Sequence, residues 1–419
     1  PMNTLPASSP RKPRRLGITG FAVVGMLFAT AAAEPASDEL TVKARDVLPP
    51  DFFRSVHYEI AEDVTQSRFY YHFNVTSDFG RYAIASLPML RVRLHEILTL
   101  AEVAPTSNKS SASLDRSPPG RRGVGGDSVA GILADPLGTA ETLLGNLAYN
   151  LEETLAEPER EQSATGPAVD NGFSLEPGPH KRSAAAQLDV DVYSSNPAIQ
   201  TLLDTLARAR SAGKMRGPIA PTRVLPVGPV AFGSGVLDER LRSILKNKSA
   251  AEIHADIDER LAAAGVSAAE RAVFLANRSY TPRTRLYFTR YLGLLKQATG
   301  VAQLVQSANS ASTETDARAF VNLARMIAYY ELTGSHIMRI IEHRKFPVML
   351  TDAGALVFAL PIDHFSWNDG NAALIASLDR FVTTAGATST TLLVAGSVTD
   401  TAKTQLATSD IQLREHYSF

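Results

Sequence analysis

His95-Glu96-Ile97-Leu98-Thr99 is the first half of a zinc-protease pattern, in which two histidines four apart hold the metal and the glutamate serves as base. Thr99 occupies the place of the second imidazole, so a ligand and the site geometry are lost together. Asp189-Val190-Asp191 opens like a calcium loop. Such a loop then needs an oxygen donor, a glycine and a glutamate at its fifth, sixth and twelfth positions, where Tyr193, Ser194 and Gln200 stand. A turn leading into a helix explains these residues better. The glycines between Gly120 and Gly126 suggest a phosphate cradle, but Gly126-Asp127 replaces the lysine and hydroxyl residue of a P-loop. Ser128 stands where a dinucleotide fingerprint needs its last glycine.

Two histidine sets are poorer still. His254 and Asp258 share a helix face but have no third donor. His336 and His343, read on a helix, lie roughly 10 Å apart along its axis, too far to share an ion. No Gly-x-Ser-x-Gly elbow occurs; Gly233-Ser234-Gly235, Gly334-Ser335 and Gly396-Ser397 come nearest. The chain has no cysteine, which removes thiolate metal sites, iron–sulfur clusters and a cysteine nucleophile. No metal site and no cofactor is expected.

One constellation keeps its chemistry. Pro361-Ile362-Asp363-His364-Phe365-Ser366-Trp367 follows a predicted strand end and holds the only tryptophan. Loops at strand ends are where α/β units bind and react. Asp363 and His364 are the candidate acid and base, and Trp367 is the candidate wall of a ligand pocket. The plainer reading is a polar loop anchored by an aromatic ring.

The elements that must position these residues suggest an α+β fold in consecutive parts. Within 34–105, Phe69, Tyr71, Phe73 and Val75 alternate with Arg68, Tyr70, His72 and Asn74, the pattern of a half-buried strand. His57 to Ile60 and Arg81 to Ala85 flank it as further strands. A helix over 88–103 carries the stripe Leu90, Leu94, Ile97, Leu98 and Ala101. A small antiparallel sheet with one covering helix is expected. Residues 106–181 form a loop region, with linkers over 104–130 and 156–181 around one amphipathic helix over 137–155. That helix carries glutamates and no lysine or arginine, so it suits the protein's own core better than a membrane surface. Residues 182–345 read as a helical, bundle-like core, with starts marked by Asn196-Pro197, Ser267 with Glu270, Thr281-Pro282 and Thr313 with Asp316. Residues 346–419 alternate short strands and helices, a small α/β unit.

The first 33 residues read as an address. Arg11, Lys12, Arg14 and Arg15 precede an apolar run that ends in Ala31-Ala32-Ala33, the three parts of a secretory signal peptide. Cleavage there would leave a secreted or periplasmic chain without a membrane span. A retained anchor is the alternative. The chain's net charge of −1 becomes more negative when those four basic residues go, which disfavours nucleic acid as a partner. With 44% apolar and 20% charged residues the chain can bury a sizeable core. The function expected from these readings is an exported, envelope-associated binding protein for a protein or small-molecule ligand. The alternative is a secreted hydrolase with its acid/base site in the C-terminal α/β unit.

Overall fold

The structure, a computed structural model, describes residues 40–67, 69–103, 177–213, 219, 236–343 and 346–417. The expected signal peptide, the helix over 137–155 and nearly all of the two linkers lie outside these residues.

The fold is α+β. The N-terminal sheet consists of β1 (Leu40–Lys43), β2 (Tyr58–Ile60), β3 (Asp63–Ser67), β4 (Tyr70–Ser77) and β5 (Gly80–Ala85), all paired antiparallel. β4 is central: β3 and β2 pair with its two ends and β5 runs along it. Its alternation is as expected, with Tyr71, Phe73 and Val75 buried. Phe69 departs from that face, because it lies in the β3–β4 turn and packs against the C-terminal core instead. Helix α1 (Leu87–Val103) covers the sheet and buries all five residues of its expected stripe. Burying a leucine of that stripe contributes about 1.5–3 kcal/mol.

Helix α2 (Pro179–Leu188) begins three residues before the expected start of the helical core at 182, with proline in its first turn. Together with α3 (Pro197–Ser211) it adds Ala184, Leu188, Ile199, Leu202, Leu203 and Leu206 to the core beneath the N-terminal sheet. Asn196 caps α3 by accepting the Ala198 amide at 3.1 Å.

A second core gathers the rest. Its helices are α4 (Val236–Asn247), α5 (Ala250–Ala263), α6 (Ala268–Ala276), α7 (Pro282–Leu292), α8 (Ala302–Ala308) and α9 (Glu314–Thr333). The capping boxes at Ser267 and Thr313 form as the spacing requires, and Thr281 caps α7 through the Thr284 amide. The centre of α9, from Phe320 to Ala328, is buried on nearly every side.

The helical region stops earlier than the sequence suggests. Gly334 ends α9, and Ile337–His343 is strand β6. Its pairing with β7 (Phe346–Thr351) slips between Ile337 and Arg339, so no clean alternation marks it as a strand. β8 (Ala355–Leu360), α10 (Asp369–Ala385), β10 (Ser389–Val394), α11 (Asp400–Thr408) and β12 (Ile411–Arg414) complete the C-terminal unit. The sheet order is β12-β10-β8-β7-β6, antiparallel from β6 to β8 and parallel from β8 to β12. Parallel strands need helical crossovers, and α10 and α11 supply them. Among the described residues no helix is long and apolar enough to cross a membrane.

Candidate functional site

The carboxyl ends of β8 and β10 lead into two short parallel strands, β9 (His364–Phe365) and β11 (Ser397–Val398), with His364 beside Ser397. Gly396 lets them meet. A Cβ at that position would lie 1.9 Å from the Asp363 carbonyl oxygen. The β3–β4 turn of the N-terminal sheet sits against this junction. The Phe69 carbonyl accepts the amides of Asp363 at 3.1 Å and His364 at 3.2 Å.

The two candidate catalytic residues face different neighbours. Successive side chains in a strand point to opposite sides. Asp363 is 4% exposed, and its Oδ2 accepts the Tyr71 amide at 3.2 Å and the Leu87 amide at 2.9 Å. It therefore clips β4 and the start of α1 onto the C-terminal unit. His364 is half-buried on the other side. Its Nδ1 lies 3.1 Å from the Ser397 hydroxyl and 3.2 Å from the Tyr71 hydroxyl, and those two oxygens are 3.5 Å apart. The structure thus joins His364 to Ser397 and Tyr71, and turns Asp363 to two backbone amides.

The environments follow from burial. Asp363 is pushed up to about 7 by desolvation, against the pull of the Tyr71 and Leu87 amides and of Arg91. Burial lowers the His364 imidazole, which favours its neutral form, and raises the Tyr71 phenol. A neutral His364 with a free Nδ1 lone pair can accept a hydrogen bond from one hydroxyl at a time. Tyr70, beside Tyr71 on β4, has a buried hydroxyl without a hydrogen-bond partner among the described residues, and burial raises its phenol strongly.

Trp367 is half-buried against the second core, one residue before the Asn368 cap of α10. Trp367→Ala is therefore expected to cost less than the ~3–5 kcal/mol of a fully buried ring, as read by chemical denaturation. The two described cavities lie elsewhere. The larger, a shallow groove of about 350 Å³, runs beside β6 and includes Gly300, Gln303, Arg339, Glu342 and Phe381.

The other sequence motifs serve the architecture. Glu96 is 2% exposed and accepts hydrogen bonds from Arg93, Ser194 and Asn196. His95 Nε2 donates to the Leu188 carbonyl at 3.2 Å. Asp189 ends α2 in a left-handed conformation and pairs with Arg283 at 3.2 Å, while Asp191 accepts the Thr281 hydroxyl at 2.7 Å. His254 and Asp258 have separate partners, Arg285 and Arg271. His336 lies before β6 and His343 ends it, where they contact Glu331 and Ser377. Among the described residues no group of three or more His, Asp or Glu is placed to hold a metal ion.

Sequence reasoning missed Tyr71 and Ser397 as neighbours of His364. The available signal was weak: Gly396-Ser397 follows an apolar strand, as Asp363-His364 does three residues after another. Comparisons with protein-family models, with curated proteins and with solved structures find no match.

Proposed function

We propose that the protein is an exported binding module of the cell envelope, secreted or periplasmic, that engages a protein or small-molecule partner without catalysing a reaction. The observation that carries the non-catalytic part is the use of Asp363. Its carboxyl is enclosed and bonded to two backbone amides, so it neither orients His364 nor reaches solvent. An acid/base pair needs both groups on one reacting centre. Export rests on the basic and apolar pattern over 11–33. The groove beside β6 supports binding, being shallow, mixed in polarity and of a size to take a small ligand or a few side chains.

A second reading has its own support. Ser397 and His364 are within hydrogen-bond reach, and a serine next to an imidazole at the carboxyl ends of parallel strands suits acyl transfer. His364→Ala separates the two. For the binding module, purified protein turns over none of a panel of ester, amide, phosphoester and glycoside substrates. The variant then loses ~1–3 kcal/mol of stability through its hydroxyl contacts. Turnover that disappears in His364→Ala, with an unchanged melting temperature, would establish the hydrolase instead.

A further inference from the structure

We propose that the open half of the β6 edge is a site for a short extended peptide with free termini, its ammonium beside Glu342 and its carboxylate beside Arg339. The proposal rests on the reading of the protein as a binding module and names the partner of the groove beside β6.

β6 is an edge strand of the C-terminal sheet, paired on one side with β7. Thr299 covers the first half of its outer edge. The Thr299 amide donates to the Met338 carbonyl at 3.0 Å, and the Thr299 carbonyl accepts the Ile340 amide at 2.8 Å, in the parallel sense. Gly300, at a φ of 79°, then turns the chain away into α8. Backbone groups alternate in direction along a strand. The Ile340 amide points away from β7, and so therefore do the N–H and C=O of Glu342, two residues on. Pro347, which stands opposite Glu342, has no N–H to offer it. Glu342 thus presents a donor and an acceptor to the groove, and no loop or turn among the described residues takes them. An open edge of this kind is a template for one more extended segment.

The side chains set what that segment carries. Arg339 and Glu342 both line the groove, exposed and without an ion-pair partner among the described residues. They stand three residues apart, about 10 Å along a strand. A single amino acid holds its two charges close together, whereas two or three extended residues part them by about 3.3–3.6 Å each. Charge complementarity makes the peptide run antiparallel to β6. Its first residue then exchanges both backbone hydrogen bonds with Glu342. Phe381, half-buried on α10, gives the groove an apolar wall for a side chain. At about 350 Å³ the groove is at the small end of ligand pockets, which suits a short peptide. A second copy of the chain fits less well, because Thr299 leaves only the end of β6 to pair with.

Titration of the isotope-labelled full chain with trialanine tests the site, with the Glu342 amide resonance as readout. That resonance is expected to move and saturate as the amide gains an acceptor. N-acetyl-trialanine and trialanine amide, each lacking one terminal charge, should bind about three- to fivefold more weakly. In Glu342→Gln the penalty for acetylation should vanish and that for amidation remain. Arg339→Gln should show the reverse. Both side chains are exposed, so both variants should keep the wild-type melting temperature. The proposal is overturned if trialanine leaves the Glu342 amide unmoved, if free alanine binds as well, or if the two penalties are unchanged in the variants. A Glu342 resonance that moves with protein concentration alone would overturn it in favour of a second copy. Failure of the binding-module reading is a separate result, shown by turnover that His364→Ala removes.

Discussion

Gly396→Ala is expected to destabilise the protein at or beyond the upper end of the ~1–3 kcal/mol that overpacking costs. The added methyl would meet three backbone atoms of Asp363, the carbonyl oxygen at 1.9 Å, its carbon at 2.4 Å and the Cα at 2.8 Å. No side chain can swing away to relieve this. β9 and β11 would have to separate, which stretches the Gly396–Ile362 and Ser397–Asp363 backbone hydrogen bonds and draws Ser397 away from His364. Gly386→Ala is the matched control. Gly386 adopts a left-handed φ of 70° with open space around it, so its substitution carries only the backbone cost of about 1–2 kcal/mol. Guanidinium denaturation at constant m-value measures both. Equal losses would show that close approach at Gly396 contributes nothing.

Glu96→Ala is expected to cost about 3–5 kcal/mol, because it removes the nearest carboxylate from the buried Arg93 guanidinium and takes the acceptor from Ser194 and Asn196. Arg93 contacts Glu96 at 2.8 Å, Ser195 at 2.5 Å and Glu314 at 3.5 Å, with its side chain 12% exposed. Replacing both, as Arg93→Met with Glu96→Leu, should recover only the part of the loss that comes from the buried guanidinium, since Ser194 and Asn196 still lack their acceptor. The same network sets an acid limit. Burial would raise Glu314, but Arg318 and Arg93, with the Ser195 hydroxyl, hold it at about 2. A carboxyl lower in the folded than in the unfolded state stabilises fully above its ordinary 4.5 and loses that contribution as pH falls to about 2. The contribution is on the order of 3 kcal/mol. It should disappear from the pH dependence of stability in Glu314→Gln, measured between pH 5 and 2.

Local chemistry was legible in the sequence and distant chemistry was not. The starts at Asn196-Pro197, Ser267, Thr281-Pro282 and Thr313 were readable because a cap is satisfied within three residues. β3, with the polar sequence Asp-Val-Thr-Gln-Ser, gave little sign of itself. The burial of Glu96 could not be read from its own helix, because an amphipathic helix has one apolar face and says nothing of what covers the other. Here the turn at Ser194–Asn196 covers α1 at Glu96, so that part of its polar side is enclosed as well. The Asp363 clip left no trace in the order of residues, since its partners are backbone amides, which every residue but proline carries. An aspartate between Ile362 and Phe365, both buried, was the remaining hint.

The clip also carries a consequence for the order of events in synthesis. Tyr71 and Asp363 are 292 residues apart in the chain. At about 5–20 residues per second, the β3–β4 turn leaves the ribosome roughly 15–60 s before the loop that receives it. During that interval Phe69 lacks the core it packs against, and the Leu87 amide at the start of α1 lacks its acceptor. The nascent N-terminal sheet is therefore without these contacts until the loop at Asp363 has been made.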